Sequence, residues 1–186
     1  MKEYTVAVAG ALGAVGREMI LTLERRNFPV KVLRPLDLPE NAGKEVEFRG
    51  EKIKVEESCP ETFRGADIAL FAVADKVSRA LAPEAVKAGC IVIDNSSAWR
   101  MDETVPLVVP EVNPEALRGH HGLIANPNCS TIIAMVPLKP LHDCAGLRRV
   151  IASTYQAVSG AGAAGLAELR EQARQGLDGR PIAPRA

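Results

Sequence analysis

The sequence predicts an α/β protein built on a doubly wound parallel β-sheet. Two observations lead to this fold class. Short apolar segments of β-forming residues alternate along the chain with segments that carry apolar residues at helical spacing. A glycine-rich turn, residues 10–16, joins the first such strand to the first helix, which is typical of the opening βαβ unit of a Rossmann-like sheet.

The predicted strands are apolar, rich in β-forming residues and bounded by turn residues. They are residues 4–9, 30–36, 68–73, 90–94, 107–109, 123–125 and 150–158. The first and third have the nearly continuous apolar character of parallel strands that are buried on both faces. A hairpin is predicted over residues 47–55, with its turn at Arg49 and Gly50.

Helices are predicted where apolar residues recur every three or four positions. They cover residues 17–26, 77–88, 130–142 and 163–177. In the first helix Met19, Ile20 and Leu23 form the apolar face, and the second helix ends at Gly89, a common stop signal. The tail from residue 178, with Pro181 and Pro184, is predicted to be a loop.

Composition and charge argue against several classes of partner. Lys plus Arg and Asp plus Glu each number 23, so no field over the whole chain points to nucleic acid or to an acidic membrane. No apolar run approaches the roughly 20 residues that a membrane span needs. The four cysteines show no CxxC spacing, and the three histidines lack metal-ligand spacing relative to them. We therefore expect reduced thiols, no metal site and a cytoplasmic location.

The glycine turn predicts a dinucleotide site. Gly10, Gly13 and Gly16 would allow a sharp turn, a close backbone approach to a pyrophosphate and tight packing of helix on strand. The helix that follows offers unpaired N–H groups and a positive dipole end to the phosphates. The spacing is GxxGxxG rather than GxGxxG, so a glycine-rich turn without a ligand is the alternative interpretation.

The end of the second strand bears on the choice of cofactor. An acidic residue about 20 positions beyond the glycines typically bonds the ribose 2′-hydroxyl of NAD, whereas a basic group accommodates the 2′-phosphate of NADP. Asp37 stands in that place with Glu40 close by, which favours NAD. The alternative is that Asp37 is only a loop residue.

A reactive cysteine is predicted at the start of the third helix. Asn128 is a plausible N-cap for the apolar helical pattern that follows, which places Cys129 in the first turn. The helix dipole there favours the thiolate, the reactive form of the side chain. A buried structural cysteine is the alternative. His120, His121 and His142 are not well placed to act as the general base.

A thiolate beside a nicotinamide predicts a particular chemistry. The sulfur attacks an aldehyde to give a hemithioacetal, hydride passes to the cofactor, and an acyl-thioester remains for water or phosphate to resolve. Covalent attachment of this kind divides one difficult step into two easier ones.

Five stretches in order resemble aspartate-semialdehyde dehydrogenases. They are residues 10–16 (Gly-Ala-Leu-Gly-Ala-Val-Gly), 94–102 (Asp-Asn-Ser-Ser-Ala-Trp-Arg-Met-Asp), 105–113 (Val-Pro-Leu-Val-Val-Pro-Glu-Val-Asn), 126–131 (Asn-Pro-Asn-Cys-Ser-Thr) and 154–162 (Thr-Tyr-Gln-Ala-Val-Ser-Gly-Ala-Gly). The resemblance covers essentially the whole chain. It implies reduction of 4-aspartyl phosphate to aspartate 4-semialdehyde, with release of phosphate, in lysine, threonine and methionine biosynthesis.

The resemblance also implies roles for single residues. Cys129 would be the nucleophile, Asn128 would help hold the substrate, Gln156 would orient the substrate amino acid, and Arg100 would bind phosphate through its guanidinium fork. Read locally, Arg100 is equally a surface charge next to Trp99. The residues implied to contact NADP or NAD are Gly10, Leu12, Gly13, Ala14, Val15, Gly16, Asp37, Ser159 and Gly160.

Three stretches depart from the family pattern. Leu12 stands where the family usually has Thr, so one hydroxyl contact to the cofactor phosphate would be missing. Asp37 and Glu40 occupy a region that usually carries small residues, Arg and Ser around a 2′-phosphate, which again favours NAD. Asp75 and Lys76 replace a small, Gly-rich turn and are expected to crowd the cofactor site.

The resemblance divides the chain at residue 129. Residues 1–128 would form the dinucleotide-binding domain, and residues 129–186 the incomplete beginning of an α+β catalytic and dimerisation domain. Family members continue further, with a catalytic His and a substrate-binding Arg, so we expect the chain to be a fragment with little or no dehydrogenase activity by itself. A homodimer or homotetramer is implied for the full-length enzyme.

Two other interpretations are kept open. N-acetyl-glutamyl-phosphate reductases share the chemistry, but their cysteine motif typically has Gly before Cys and an aromatic-Pro pair after it, unlike Asn128-Cys129-Ser130-Thr131. A non-catalytic dinucleotide-binding paralogue or fragment is the other alternative, because the cofactor turns are changed.

Overall fold

The computed structural model describes residues 2–182. These residues form one compact unit that ends at Val150 and a second that begins at Ile151. Within the described part of the chain, no helix is both long and apolar enough to cross a membrane.

The first unit is organised around a parallel β-sheet of six strands, in the order β5-β2-β1-β6-β7-β8. The strands are β1 Tyr4–Ala9, β2 Val30–Asp37, β5 Glu56–Glu57, β6 Ile68–Phe71, β7 Ile91–Asp94 and β8 Leu123–Ala125. Every neighbouring pair runs parallel, which confirms the predicted fold class. The predicted hairpin is also present, as β3 Glu45–Phe48 and β4 Glu51–Lys54 with Arg49 and Gly50 between them.

Helices cover both faces of the sheet, as the alternation of side chains along β1 shows. Val6 and Val8 pack with Ile20 of α1, Ala14–Arg25, in one buried cluster. Ala7 and Ala9 point to the other face, where they belong to a cluster with Ala82 and Ala85 of α2, Asp75–Lys87. Successive residues of a strand point to opposite faces, so one strand contributes to two cores.

The connections leave β1 in the direction of β2 and leave β6 in the opposite direction, towards β7. Ligands of open α/β sheets bind in the crevice outside the carboxyl ends of the strands at such a reversal of strand order. The glycine turn follows the carboxyl end of β1, so it lies at this point.

Helix α3, Cys129–Ala145, belongs to the first unit, and helix α4, Gly162–Leu177, to the second. Both lie where the sequence predicts a helix. Helix α1 begins at Ala14, three residues before the predicted start, and therefore includes Gly16. The glycine turn is therefore shorter than predicted, and Gly16, predicted as its last residue, lies in the first turn of α1.

The predicted strand over residues 150–158 is wrong. Residues 150–157 have no regular secondary structure, and Val158–Ala161 is a turn of 3-10 helix. Ile151 and Tyr155 are 88% and 99% exposed. A run of β-branched residues has strand propensity, but a strand requires a hydrogen-bonded neighbour, and no strand among the described residues lies beside this segment.

The short strand predicted at residues 107–109 is reduced to a single parallel bridge, Leu107 to Ala125. Pro106 lies next to it and cannot donate to a ladder, although its carbonyl oxygen accepts the Ala125 N–H. The segment therefore extends the edge of the sheet at β8 without forming a further strand.

Candidate active site

Gly10 makes the sharp turn at the end of β1. Its φ is +80°, and the N–H groups of Gly10 and Ala11 both donate to the carbonyl oxygen of Leu36 in β2, at 2.8 and 3.0 Å. A Cβ at Gly10 would collide with the carbonyl group of Ala72, just beyond β6. Only glycine combines this φ with such a close approach of two backbones.

Gly16 brings the first turn of α1 against the turn that precedes it. A Cβ at Gly16 would lie 2.8 Å from the carbonyl carbon of Gly10 and closer still to its oxygen. Gly13 is the N-cap and supplies no side-chain cap, and the first turn contains no acidic residue. The N–H groups at the start of α1 are therefore left to an anion from outside, as in a pyrophosphate site.

Asp37 fastens the glycine turn to the end of β2. Its Oδ2 accepts the backbone N–H of Leu12 at 2.8 Å, and its Oδ1 accepts the backbone N–H of Leu38 and the side-chain amide of Asn41, at 2.8 and 2.7 Å. The residue is only 7% exposed. Asp37 is therefore a structural residue that joins the glycine turn to the end of β2.

A cavity of about 250 Å³ opens between the glycine turn, the end of β2 and the start of α2. Its lining residues are Gly10, Gly13, Asp37, Leu38, Ser58, Ala72, Val73, Ala74 and Val77. Of the predicted cofactor residues of the first unit, Gly10, Gly13 and Asp37 line it. Leu12, Ala14 and Gly16 belong to the adjoining turn, and Val15 lines a different cavity with Phe28 and Leu70.

Asp75 and Lys76 do not line this cavity, contrary to the expectation from the sequence. The Asp75 carboxylate accepts the backbone N–H of Ser97 at 2.9 Å and also the Ser97 hydroxyl. These bonds, with the hydroxyl contributing most, hold the pKa of the Asp75 carboxyl below its ordinary value. The Asp75 carboxylate, in the first turn of α2, therefore points to the loop after β7. The residues just before α2 that line the cavity include the small Ala72 and Ala74.

The loop between β8 and α3 presents Cys129 as predicted. Asn128 is the N-cap, and its Oδ1 accepts the backbone N–H groups of Ser130 and Thr131 at 3.0 and 3.4 Å. Cys129 is the first residue of the helix and is exposed. The alternative of a buried structural cysteine is therefore wrong for this position. Strands β1 and β8 run parallel in one sheet. The glycine turn comes after the carboxyl end of β1 and Cys129 comes after the carboxyl end of β8, so both belong to the same edge of the sheet.

Arg100 is hydrogen bonded to the loop that leads to Cys129. Its Nε donates to the carbonyl oxygen of Asn126 and its Nη2 to that of Asn95, both at 2.9 Å. The side chains of Asn126 and Asn95 are also hydrogen bonded to each other. The guanidinium therefore joins the residues that follow β7 and β8, and two of its five N–H donors are used.

Other cysteines have different surroundings. Cys90 is buried, donates to the carbonyl oxygen of Phe63 at 3.2 Å, and burial raises the pKa of its thiol. Cys59 is half-buried at the N-cap of a 3-10 turn, Pro60–Phe63. Cys144 is exposed but lies in the last turn of α3, the opposite end from Cys129.

The second unit contains the other predicted site residues. Ser159 and Gly160 lie in the 3-10 turn Val158–Ala161, and Gln156 precedes it. The side chain of Gln156 packs directly over Gly160, where a Cβ would lie 2.7 Å from its Cδ. Gly160 is therefore required for the present position of the Gln156 amide.

Two family models match the chain. The model for the NAD binding domain of semialdehyde dehydrogenase matches residues 5–120, and the model for the dimerisation domain of semialdehyde dehydrogenase matches residues 138–186. The chain belongs to the semialdehyde dehydrogenase family. The glycine turn, the Asp37 network and the cavity all lie within its NAD binding domain.

Several relatives of the chain are aspartate-semialdehyde dehydrogenases. The aspartate-semialdehyde dehydrogenase of Bacillus subtilis is 54% identical over 96% of the chain, and that of Aquifex aeolicus is 50% identical over 96%. A crystal structure of aspartate semialdehyde dehydrogenase II from Vibrio cholerae, complexed with ASA, superposes on the whole chain with a TM-score of 0.93 at 43% identity.

The chain spans about half the length of these semialdehyde dehydrogenases, namely 52% and 54% of the two curated relatives and 56% of the Vibrio cholerae chain. A more distant structure, the Candida albicans enzyme with NADP, is 28% identical and has a TM-score of 0.67 over 78% of the chain.

Proposed function

We propose that this chain carries the dinucleotide site and the nucleophile of an aspartate-semialdehyde dehydrogenase, which reduces 4-aspartyl phosphate to aspartate 4-semialdehyde. The observation that carries the proposal is the start of α3, where Asn128 caps the helix and exposes the thiol of Cys129. Cys129 comes after the carboxyl end of β8, at the same edge of the sheet as the glycine turn.

The glycine turn fits a dinucleotide, NAD or NADP. Its N–H groups at the start of α1 have no side-chain cap and face no acidic residue of the first turn, so a pyrophosphate would satisfy them. The cavity beside it is lined by small residues, among them Gly10, Ala72 and Ala74, which permit close approach of a ligand. When bound, the nicotinamide supplies the hydride for the reduction.

Cys129 is the proposed nucleophile. The start of α3 carries the partial positive end of the helix dipole, an electropositive surrounding of the kind in which nucleophilic cysteines are found. Its sulfur attacks the acyl phosphate carbonyl, a C–S bond forms, the C–O bond to phosphate breaks, and inorganic phosphate leaves. The product is an aspartyl thioester on Cys129. Hydride then adds to its carbonyl carbon and the C–S bond breaks, which releases the aldehyde and returns the Cys129 sulfur as the leaving group.

Arg100 and Gln156 are proposed to bind the substrate. Two carbonyl oxygens hold the guanidinium of Arg100 beside the loop that leads to Cys129. Its other N–H donors suit the oxygens of a leaving phosphate. Gln156 is exposed and offers an amide to the amino-acid part of the substrate.

The roles of Ser159 and Gly160 in cofactor binding, a domain boundary after residue 128 and a cytoplasmic location are part of the same proposal. Residues 138–186 match a dimerisation domain, which supports an assembly of two or more copies of the full-length enzyme. We propose a homodimer or a homotetramer.

The proposal is tested by mass spectrometry of the chain after incubation with 4-aspartyl phosphate, because formation of the thioester needs no dinucleotide. We expect one aspartyl group on Cys129, lost in Cys129→Ser and retained in Cys144→Ser. Absence of an adduct from the unsubstituted chain, or its loss in Cys144→Ser instead, would contradict the proposal. A chain that binds dinucleotide without acylation would be a non-catalytic dinucleotide-binding protein.

A further inference from the structure

The carboxyl ends of β2 and β5 bring Asp37 and Ser58 to one wall of the cavity beside the glycine turn. We propose that this wall is a subsite for the adenosine ribose that accepts a 2′-hydroxyl and excludes a 2′-phosphate, so that the chain selects NAD over NADP. The inference rests on the proposed dinucleotide binding.

Asp37 supplies the acceptor. Its Oδ1 already accepts two hydrogen bonds, from Leu38 and Asn41, whereas its Oδ2 accepts one, from Leu12. A carboxylate oxygen can accept about two, so Oδ2 retains room for a hydroxyl donor. A phosphate has no such donor when ionised, and its charge is repelled by the carboxylate.

Ser58 supplies a second polar group. Ser58 lines the cavity, and its Oγ is buried and has no hydrogen-bond partner among residues 2–182. Buried hydroxyl groups are rarely left unpaired in native structures. The backbone N–H of Ser58 donates to the carbonyl oxygen of Asp37 at 2.8 Å, which fixes the two residues side by side. A ribose hydroxyl between them would satisfy the Ser58 side chain.

The charge around this wall has the sign that disfavours a 2′-phosphate. No Lys or Arg is among the residues that line the cavity in the described part of the chain, and Glu40 is exposed on the 3-10 turn Pro39–Asn41 immediately after Asp37. Lys44 is a neighbouring cation, but its ammonium is bonded to Oδ1 of Asn41, whose amide separates it from Asp37.

Calorimetric titration of the chain with NAD⁺ and with NADP⁺ tests this inference. We expect NAD⁺ to bind at least about tenfold more tightly, because like charges placed together weaken binding. Glu40→Arg is expected to reduce this ratio by roughly tenfold through a new ion pair with the 2′-phosphate. Glu47→Arg, the same charge reversal on the exposed side of β3, is the control and should leave the ratio unchanged.

The substitution Ser58→Ala tests whether the Ser58 hydroxyl binds the dinucleotide or only contributes to the stability of the fold. We expect NAD⁺ to bind several-fold more weakly, roughly the net worth of one hydrogen bond, while the melting temperature of the empty chain is not lowered, since the hydroxyl has no partner there. Tighter binding of NADP⁺, an unchanged ratio in Glu40→Arg, or unaltered NAD⁺ affinity in Ser58→Ala would each overturn the inference. If neither dinucleotide binds, the proposed function fails as well.

Discussion

Gly10→Ala is expected to lower the free energy of unfolding by roughly 3–4 kcal/mol, the sum of a left-handed backbone strain and a steric overlap. The strain follows from the φ of +80°. The overlap arises because the new Cβ would meet the carbonyl group of Ala72, which is backbone and can move only with the end of β6. The free energies of unfolding of the unsubstituted chain and of Gly10→Ala are measured by urea denaturation and compared with the same m-value, the slope of the free energy against urea concentration.

Gly43→Ala is the matched control for this substitution. Gly43 has a φ of +85°, and nothing lies within 4 Å of a Cβ placed there, so it isolates the strain without the overlap. We expect Gly43→Ala to cost about 1–2 kcal/mol. Equal losses for the two variants would show that the close approach of β1 and β6 is not required for the fold.

Asp37→Ala is expected to destabilise the chain by roughly 3 kcal/mol, because three donors lose a buried, charged acceptor. Two of them, the N–H groups of Leu12 and Leu38, belong to the backbone and cannot turn elsewhere. Chemical denaturation at neutral pH is the appropriate measurement. The substitution should also loosen the glycine turn and weaken the binding of either dinucleotide.

Asp67→Ala provides the comparison for Asp37→Ala. The Asp67 carboxylate accepts a single backbone N–H, that of Thr5 at 2.8 Å, and is exposed. Water can replace it, so a loss of about 1 kcal/mol or less is expected. If Asp37→Ala costs no more than Asp67→Ala, Asp37 does not anchor the glycine turn.

Strand β1 could be predicted from the sequence because its apolar character is set by burial on both faces of the sheet. Residues 4–9 and 123–125 were predicted with the bounds that the structure has. The N-cap at Asn128 was also predictable, since a capping residue before an apolar helical pattern acts locally. Contacts within a few residues of chain are the ones that a sequence pattern describes best.

The strand predicted over residues 150–158 failed for the opposite reason. Strand propensity is local, but a strand forms only beside a partner, and residues 150–157 have none among the described strands. The start of α1 was misplaced for a similar reason. Gly16 reads as part of a turn, yet the packing of α1 against Gly10 gives it a position inside the helix.

Ser58 was missed because no sequence motif surrounds it. It follows β5, a strand of two residues, and only the pairing of β5 with β2 places it next to Asp37. Asp37 was found, but its bonds to Leu12 and Asn41 join residues 25 and 4 positions away, and such pairings are not visible in a pattern. The sequence predicts no strand at residues 56–57, so the position of Ser58 after a strand becomes visible only in the structure.

Cys129 and Cys144 offer the most direct test of the proposed nucleophile, because both are exposed and they lie at opposite ends of the same helix. We expect iodoacetamide at neutral pH to alkylate Cys129 about tenfold faster than Cys144, since the first turn of a helix presents unpaired N–H groups and the positive end of the dipole, whereas the last turn presents carbonyl oxygens. Rates are followed by peptide mass spectrometry, with buried Cys90 as the slow reference. Equal rates at Cys129 and Cys144, or faster reaction of Cys144, would contradict the account.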